Sequence, residues 1–291
     1  FFFLDVNSDF LELDVNQITT TITSKSTIGY NDNVNFAQGS GFSYQNSPSL
    51  LSCAGLLIAQ STNKVSDNVY GFTKLYESDF ASVQNVGYVV PALKGDKHIK
   101  GVFEDSGEGS PQIGVSVVHE AYAYSKPEYE NFIILEYHII NNNSFPLDDI
   151  YVGYFVDWDL HVRSQNKVLT NQTERFGYTF DLDSSIYTSI QLLSEGDFRH
   201  YAIDNDGKDG SVNLNDGFST VEKYLAITGN RTSAGNYPFG SDVSQIVSSG
   251  PFFIAPNDTV SVAFALHASL TYSDLLSSIK NAKTVYEHGD I

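Results

Sequence analysis

The stretch Asp204-Asn205-Asp206-Gly207-Lys208-Asp209-Gly210 sets three carboxylates on a backbone that two glycines allow to bend. A hard cation such as Ca²⁺ gathers roughly six to eight oxygen ligands from carboxylates, amides, carbonyls and water. Asp204, Asp206 and Asp209 are therefore candidate ligands of a structural Ca²⁺. The spacing is not that of an EF-hand, because with Asp204 at the first position Lys208 takes the fifth, Asp209 stands where that loop needs Gly, and Asn215 replaces the chelating Glu. The same residues also make an ordinary solvated β-turn that needs no ion, and both readings stay open here.

A second pair of acids stands on a strand. From Ile150 to Leu160 every even position (Ile150, Val152, Tyr154, Val156, Trp158, Leu160) is apolar. Successive side chains of a strand point to opposite faces, so these six face a core and Tyr151, Gly153, Phe155, Asp157 and Asp159 share the other side. Asp157 and Asp159 then emerge together, with side-chain origins about 6.5–7 Å apart from the strand rise. Two carboxylates at roughly 5–9.5 Å serve glycoside hydrolysis, provided one is held protonated in a cleft. The same pair serves Ca²⁺ with no chemistry, and crowded acids repel unless a cation lies between them. Asp157 and Asp159 join the candidate metal ligands, on an ion separate from that of the Asp204 loop.

Other chemistry finds little support. The seven histidines show no His-x-x-x-His or Glu-x-x-His spacing for zinc. His138 and His267 lie within apolar runs and read as sheet histidines, and His119-Glu120 and His161 read as loop or strand-edge residues. A Gly-x-Ser-x-Gly elbow is absent, and neither Gly39-Ser40-Gly41 nor Gly107-Glu108-Gly109-Ser110 joins a strand to a helix as a phosphate cradle would. No catalytic residue and no organic cofactor site is read from these patterns.

The elements that must carry the acids are strands. Gln17–Thr23, Phe132–Ile140, Phe176–Leu182, Ser185–Leu193 and Thr259–His267 alternate or run apolar between Gly, Asn, Asp and Pro clusters. Only the tail, Tyr272–Glu287, shows helical spacing, in Leu275, Leu276, Ile279, Ala282 and Tyr286, with Ser273 as expected N-cap and Gly289 as the stop. The 291 residues are 41% hydrophobic and 13% aromatic, which excludes disorder. A formal charge of −19 disfavours nucleic acid and favours divalent cations and an extracellular setting. The lone Cys53 in an apolar run excludes an intrachain disulfide, and no apolar run is long enough for a transmembrane helix. Phe1-Phe2-Phe3-Leu4 is too short for a signal peptide and the chain has no Met, so it is expected to be a segment of something longer.

The chain resembles a β-rich accessory region of large secreted proteins of Bacteroidota, which often accompanies subtilisin-like peptidases and type IX secretion sorting tails. The resemblance is carried by Gly55-Leu56-Leu57-Ile58, Lys64-Val65-Ser66-Asp67, Ile134–Ile139, Leu147–Asp159, Tyr201–Gly207, Asp242-Val243-Ser244 and Gly250-Pro251-Phe252 through Ala265. It implies an extracellular or cell-surface, non-catalytic β-sandwich, and the absence of subtilisin Asp/His/Ser motifs withholds peptidase activity. The expectation is thus one all-β domain over residues 1–291, a large antiparallel sandwich with one C-terminal helix near 272–287. It would be a Ca²⁺-stabilised structural or adhesive module whose partners are surface glycans, other surface proteins or copies of itself. The alternatives are a carbohydrate-binding module, a glycosidase or lyase using Asp157 and Asp159, and a self-assembling surface-layer or filament subunit.

Overall fold

The computed structural model describes residues 3–73, 75–109, 111–183, 185–208 and 210–289. Two antiparallel sheets face one another. The first runs in the order Phe3–Ser8, Ala81–Val90, Lys97–Glu104, Val115–Ala123, Phe132–Asn141, Thr259–Ser269, Tyr187–Leu192, Phe176–Asp181, Asn166–Asn171 and Ser233–Ala234. The second runs Arg199–Asp204, Val243–Ile254, Leu147–Trp158, Leu51–Ser61, Thr27–Ile28, Ile18–Thr23 and Phe10–Leu13, with Phe42–Tyr44 and Lys64–Asp67 paired alongside. The expected all-β sandwich is therefore the observed architecture. Each strand read from alternation is present, with no end moved by more than three residues.

The core lies between the sheets. Val152, Tyr154, Val156 and Trp158 from one pack against Leu135, Tyr137, Phe264 and Leu266 from the other, all at 2% exposure or less. The even face of the Leu147–Trp158 strand thus points inward, as its period demands.

The outer faces are partly covered by helices, which alternation alone does not say. A helix α1, Thr220–Thr228, lies on the second sheet, and a helix α2, Tyr272–His288, lies on the first. The sequence reading missed α1, although Ser219 and Glu222 form a reciprocal capping box at its start. It packs so closely that a Cβ on Gly153 would lie 2.8 Å from Ile227 Cγ1, so Gly at that outer position is a condition of the docking. Buried Phe155, Leu57, Ile203, Ile246, Phe218 and Ile227 make this second apolar layer. A buried ion pair pins the helix, with Lys223 Nζ 2.7 and 2.8 Å from the two Asp67 carboxylate oxygens.

The α2 helix buries Leu275, Ile279, Ala282 and Val285. Its N-cap is Thr271, which accepts from the Asp274 N–H at 3.1 Å, and not Ser273. Gly289 ends it at φ 77°, the left-handed region that favours glycine. Among the described residues no helix is long and apolar enough to cross a membrane.

Candidate active site

The acid-bearing end of the Leu147–Trp158 strand sits between two neighbours, with Asp157 opposite Ser244 on one side and Cys53 on the other. The register slips between Asp157 and Trp158, and the Asp159 N–H donates to Leu50 carbonyl at 2.9 Å, which holds Asp159 just beyond the ladder. Asp242 arrives from the start of the Val243–Ile254 strand. Carboxylate oxygens of Asp157, Asp159 and Asp242 all lie within 4.8 Å of one another.

The loop after the Arg199–Asp204 strand completes the group. Asn205 Nδ2 donates to Asp242 Oδ1 at 2.6 Å and approaches Asp157 Oδ1 at 3.3 Å. Ser244 Oγ is 2.8 Å from Asp157 Oδ1 and 2.7 Å from Asn205 Oδ1. Exposed Arg163 places Nε 3.7 Å from Asp242 Oδ2. Beside these groups is a hollow of about 190 Å³ whose walls include Asp157, Asp242, Tyr70, Tyr76, Phe155 and Leu214.

Water-poor surroundings and mutual repulsion set the protonation. Burial first, then the charges of Asp159 and Asp242, push the Asp157 carboxyl up to about 7, against the hydrogen bonds from Ser244 and Asn205. Burial and the Asp242 charge push Asp159 up to about 6, with Arg163 acting the other way. Burial also raises Asp242, again opposed by Arg163. Near neutrality Asp157 is therefore better able than Asp159 to hold a transferable proton.

The five acids chosen from sequence fall into two groups. Asp157 and Asp159 stay together. Asp204 has a fully buried carboxylate that accepts from Arg231 and from the Gly235 N–H at 2.7 Å. Asp206 pairs with Lys208, and the Gly207 N–H closes a turn on the Asp204 carbonyl at 2.8 Å. Each of these two acids is matched by a cation of the chain itself. Asp209 lies outside the described residues.

Sequence reasoning missed Asp242, Asn205, Ser244, Arg163, Tyr70 and Tyr76, since they meet only through pairing of distant strands. It also misplaced His119 and Glu120, which belong to a central strand and are buried, whereas His161 lies in a loop as read, with Nδ1 2.9 Å from Asp181. His267 is buried against Ser278 Oγ at 2.8 Å, and His138 bonds Ser261 Oγ at 2.7 Å, as sheet histidines should.

No family model matches the chain, and no curated protein matches it. Several solved structures are similar in fold. A provisionally assigned aldose 1-epimerase from Escherichia coli K12 shares 9% identity over 90% of this chain and 99% of its own, with a TM-score of 0.46. A GalM/aldose epimerase homologue from C. elegans shares 9% over 91% and 100%, at 0.42. A bacterial glucoamylase complexed with acarbose shares 9% over 98% of this chain and 40% of its own, at 0.48.

The expected non-catalytic structural or adhesive module does not survive these findings. Asp157, expected at a solvated strand end or around an ion, instead borders an aromatic-walled hollow, and burial pushes its carboxyl up to about 7. At these identities the likeness conveys the fold, and any activity of this chain rests on its own side chains.

Proposed function

We propose that this chain is a carbohydrate-active enzyme of the glycosidase type, with Asp157 as general acid and Asp159 as its ionised partner. The observation that carries the reading is the carboxylate trio, within 4.8 Å, of which Asp157 and Asp242 line a hollow flanked by Tyr70 and Tyr76. A proton donor with a folded value near 7 suits protonation of a leaving oxygen at neutral pH. As the bond to the anomeric carbon breaks, that proton passes from Asp157 to the leaving oxygen while the Asp159 carboxylate bonds the same carbon. Water, deprotonated by Asp157, then releases the sugar. The short separation favours this retaining route, for which carboxyls stand about 5–5.5 Å apart, over the inverting one at about 6.5–9.5 Å. Asn205 and Ser244 orient Asp157, and Arg163 opposes the rise that burial imposes on Asp242.

At about 190 Å³ the hollow is smaller than the usual drug-sized pocket of roughly 300–1,000 Å³. A single sugar ring fits that scale, its apolar face toward the Tyr rings. The test is release of 4-nitrophenol from a panel of aryl hexopyranosides. Asp157→Asn and Asp159→Asn should each lower turnover by about 10²–10⁴, and turnover retained by the double variant would end the assignment.

The same three acids favour a second reading, a Ca²⁺ ion shared by Asp157, Asp159 and Asp242. An extracellular setting, with glycans and Ca²⁺ at hand, suits either. Calcium that binds the folded form raises the melting temperature in proportion to the logarithm of its concentration over Kd. A melt unmoved by Ca²⁺ and by chelator removes the ion and leaves the acid/base reading.

A further inference from the structure

On the far side of the sandwich, the outer face of the first sheet carries a second hollow of about 600 Å³, bordered by Leu93, Lys94, Tyr122, Tyr124, Glu136 and Tyr286. Its polar floor is organised in advance. Lys94 Nζ reaches Glu120 Oε2 at 2.5 Å and Glu136 Oε2 at 2.6 Å, and lies 5.3 Å from the Tyr122 ring centre. Lys100 Nζ holds the other Glu120 oxygen at 2.9 Å. Glu120 is engaged by lysine through both of its oxygens.

Glu136 is not. Its Oε1 faces His138 Nε2 at 3.6 Å, beyond hydrogen-bond reach, so that oxygen can still accept. Lys94 has given two of its three protons and keeps one. A charge-assisted acceptor and a charge-assisted donor thus stand side by side, next to tyrosine rings. Two adjacent hydroxyls match that pair, one donating to Glu136 Oε1 and the other accepting from Lys94 Nζ.

Charge narrows the ligand further. Three carboxylates (Glu120, Glu136, Asp96) against two amines (Lys94, Lys100) disfavour an anion, and the position a ligand cation would take beside Tyr122 is filled by Lys94 itself. A neutral polyol remains. We propose that this hollow is a separate, non-reactive binding site for the vicinal diol of a neutral saccharide, about a disaccharide in size. Glu120 and Glu136 are ion-paired with lysine, Asp96 accepts from Ser125 N–H and Oγ–H at 2.7 Å, and the hollow shares no residue with the Asp157 hollow.

The test is residue-resolved ¹⁵N amide NMR of the whole chain with maltose, cellobiose and lactose as probes at millimolar concentration. At least one sugar should shift the amides of Gly95, Tyr122 and Val285. Glu136→Gln and Tyr286→Ala should each weaken that response about tenfold, while Asp157→Asn leaves it in place. The Glu136→Gln arm reads the site even if Tyr286→Ala unsettles α2. Unmoved amides with all three sugars, or a response that persists in both variants, overturns the proposal.

Discussion

Replacing Asp157 with Asn separates stability from chemistry in a single measurement. The Asp157 carboxyl rises from an ordinary 3.8 to about 7, so the folded state holds its proton where the unfolded chain has lost it. A raised acid contributes stability that is complete below the unfolded value near 4 and is lost as pH climbs through the folded value near 7. At about 1.4 kcal/mol per unit the three-unit rise is worth about 4 kcal/mol. The repulsion is shared with Asp159 and Asp242, and the side chain is only half-buried, so about 2–4 kcal/mol is the expected range. Asn keeps an oxygen for Ser244 and Asn205, and places an amide donor toward the other two acids. The variant should match wild type near pH 4 and exceed it by about 2–4 kcal/mol at pH 8. With an unfolding entropy of about 2.1 cal/mol/K per residue, that is a rise of about 3–6 °C in Tm. Thermal melts of both proteins from pH 4 to 8 give the difference directly, and other titrating groups cancel from it. A variant less stable at pH 8, or a difference that does not vary with pH, refutes the account of why Asp157 keeps its proton.

Lys223→Met strands the buried Asp67, whose carboxyl burial already raises to about 6. A loss of about 3–5 kcal/mol is expected by chemical denaturation, partly restored when Asp67→Asn is added. Leu275→Ala, beneath α2, should cost about 2–5 kcal/mol, and a smaller cost would mean that the helix is not packed as described. Burial lowers His119 to about 4, His200 to about 4 and His267 to about 3, so each contributes stability that is full above pH 6.5 and lost as pH falls toward those values. His200→Gln should flatten that acid limb relative to wild type in melts between pH 6.5 and 4. Turnover by the Asp157 site should fall on both sides of a maximum near pH 6–7, as Asp159 gains its proton below and Asp157 loses its own above. Initial rates across that range check the limbs.

The sequence by itself determined what depends on neighbours along the chain. Period-two alternation at Ile150–Leu160 and Thr259–His267 fixed which faces look inward, and spacings of three and four at Leu275, Ile279 and Ala282 fixed α2, because side-chain direction follows from local backbone geometry. It also placed Asp157 and Asp159 together at a strand end. The capping box at Ser219 and Glu222 made α1 locally legible as well, though it went unread.

Tertiary structure alone decided what those acids meet. Ser244 comes to Asp157 from 87 residues away, and Asp242 and Asn205 arrive with it because strand pairing ignores distance along the chain. The odd face that carries Asp157 is indistinguishable in sequence from a solvated one. Only the docking of α1 and of the loops around Tyr76 and Leu214 excludes water there, and that exclusion is what turns a strand-end carboxylate into an acid that keeps its proton. For Asp204 the same non-local packing acts in the opposite sense, because Arg231 closes on its carboxylate and commits it to holding the fold.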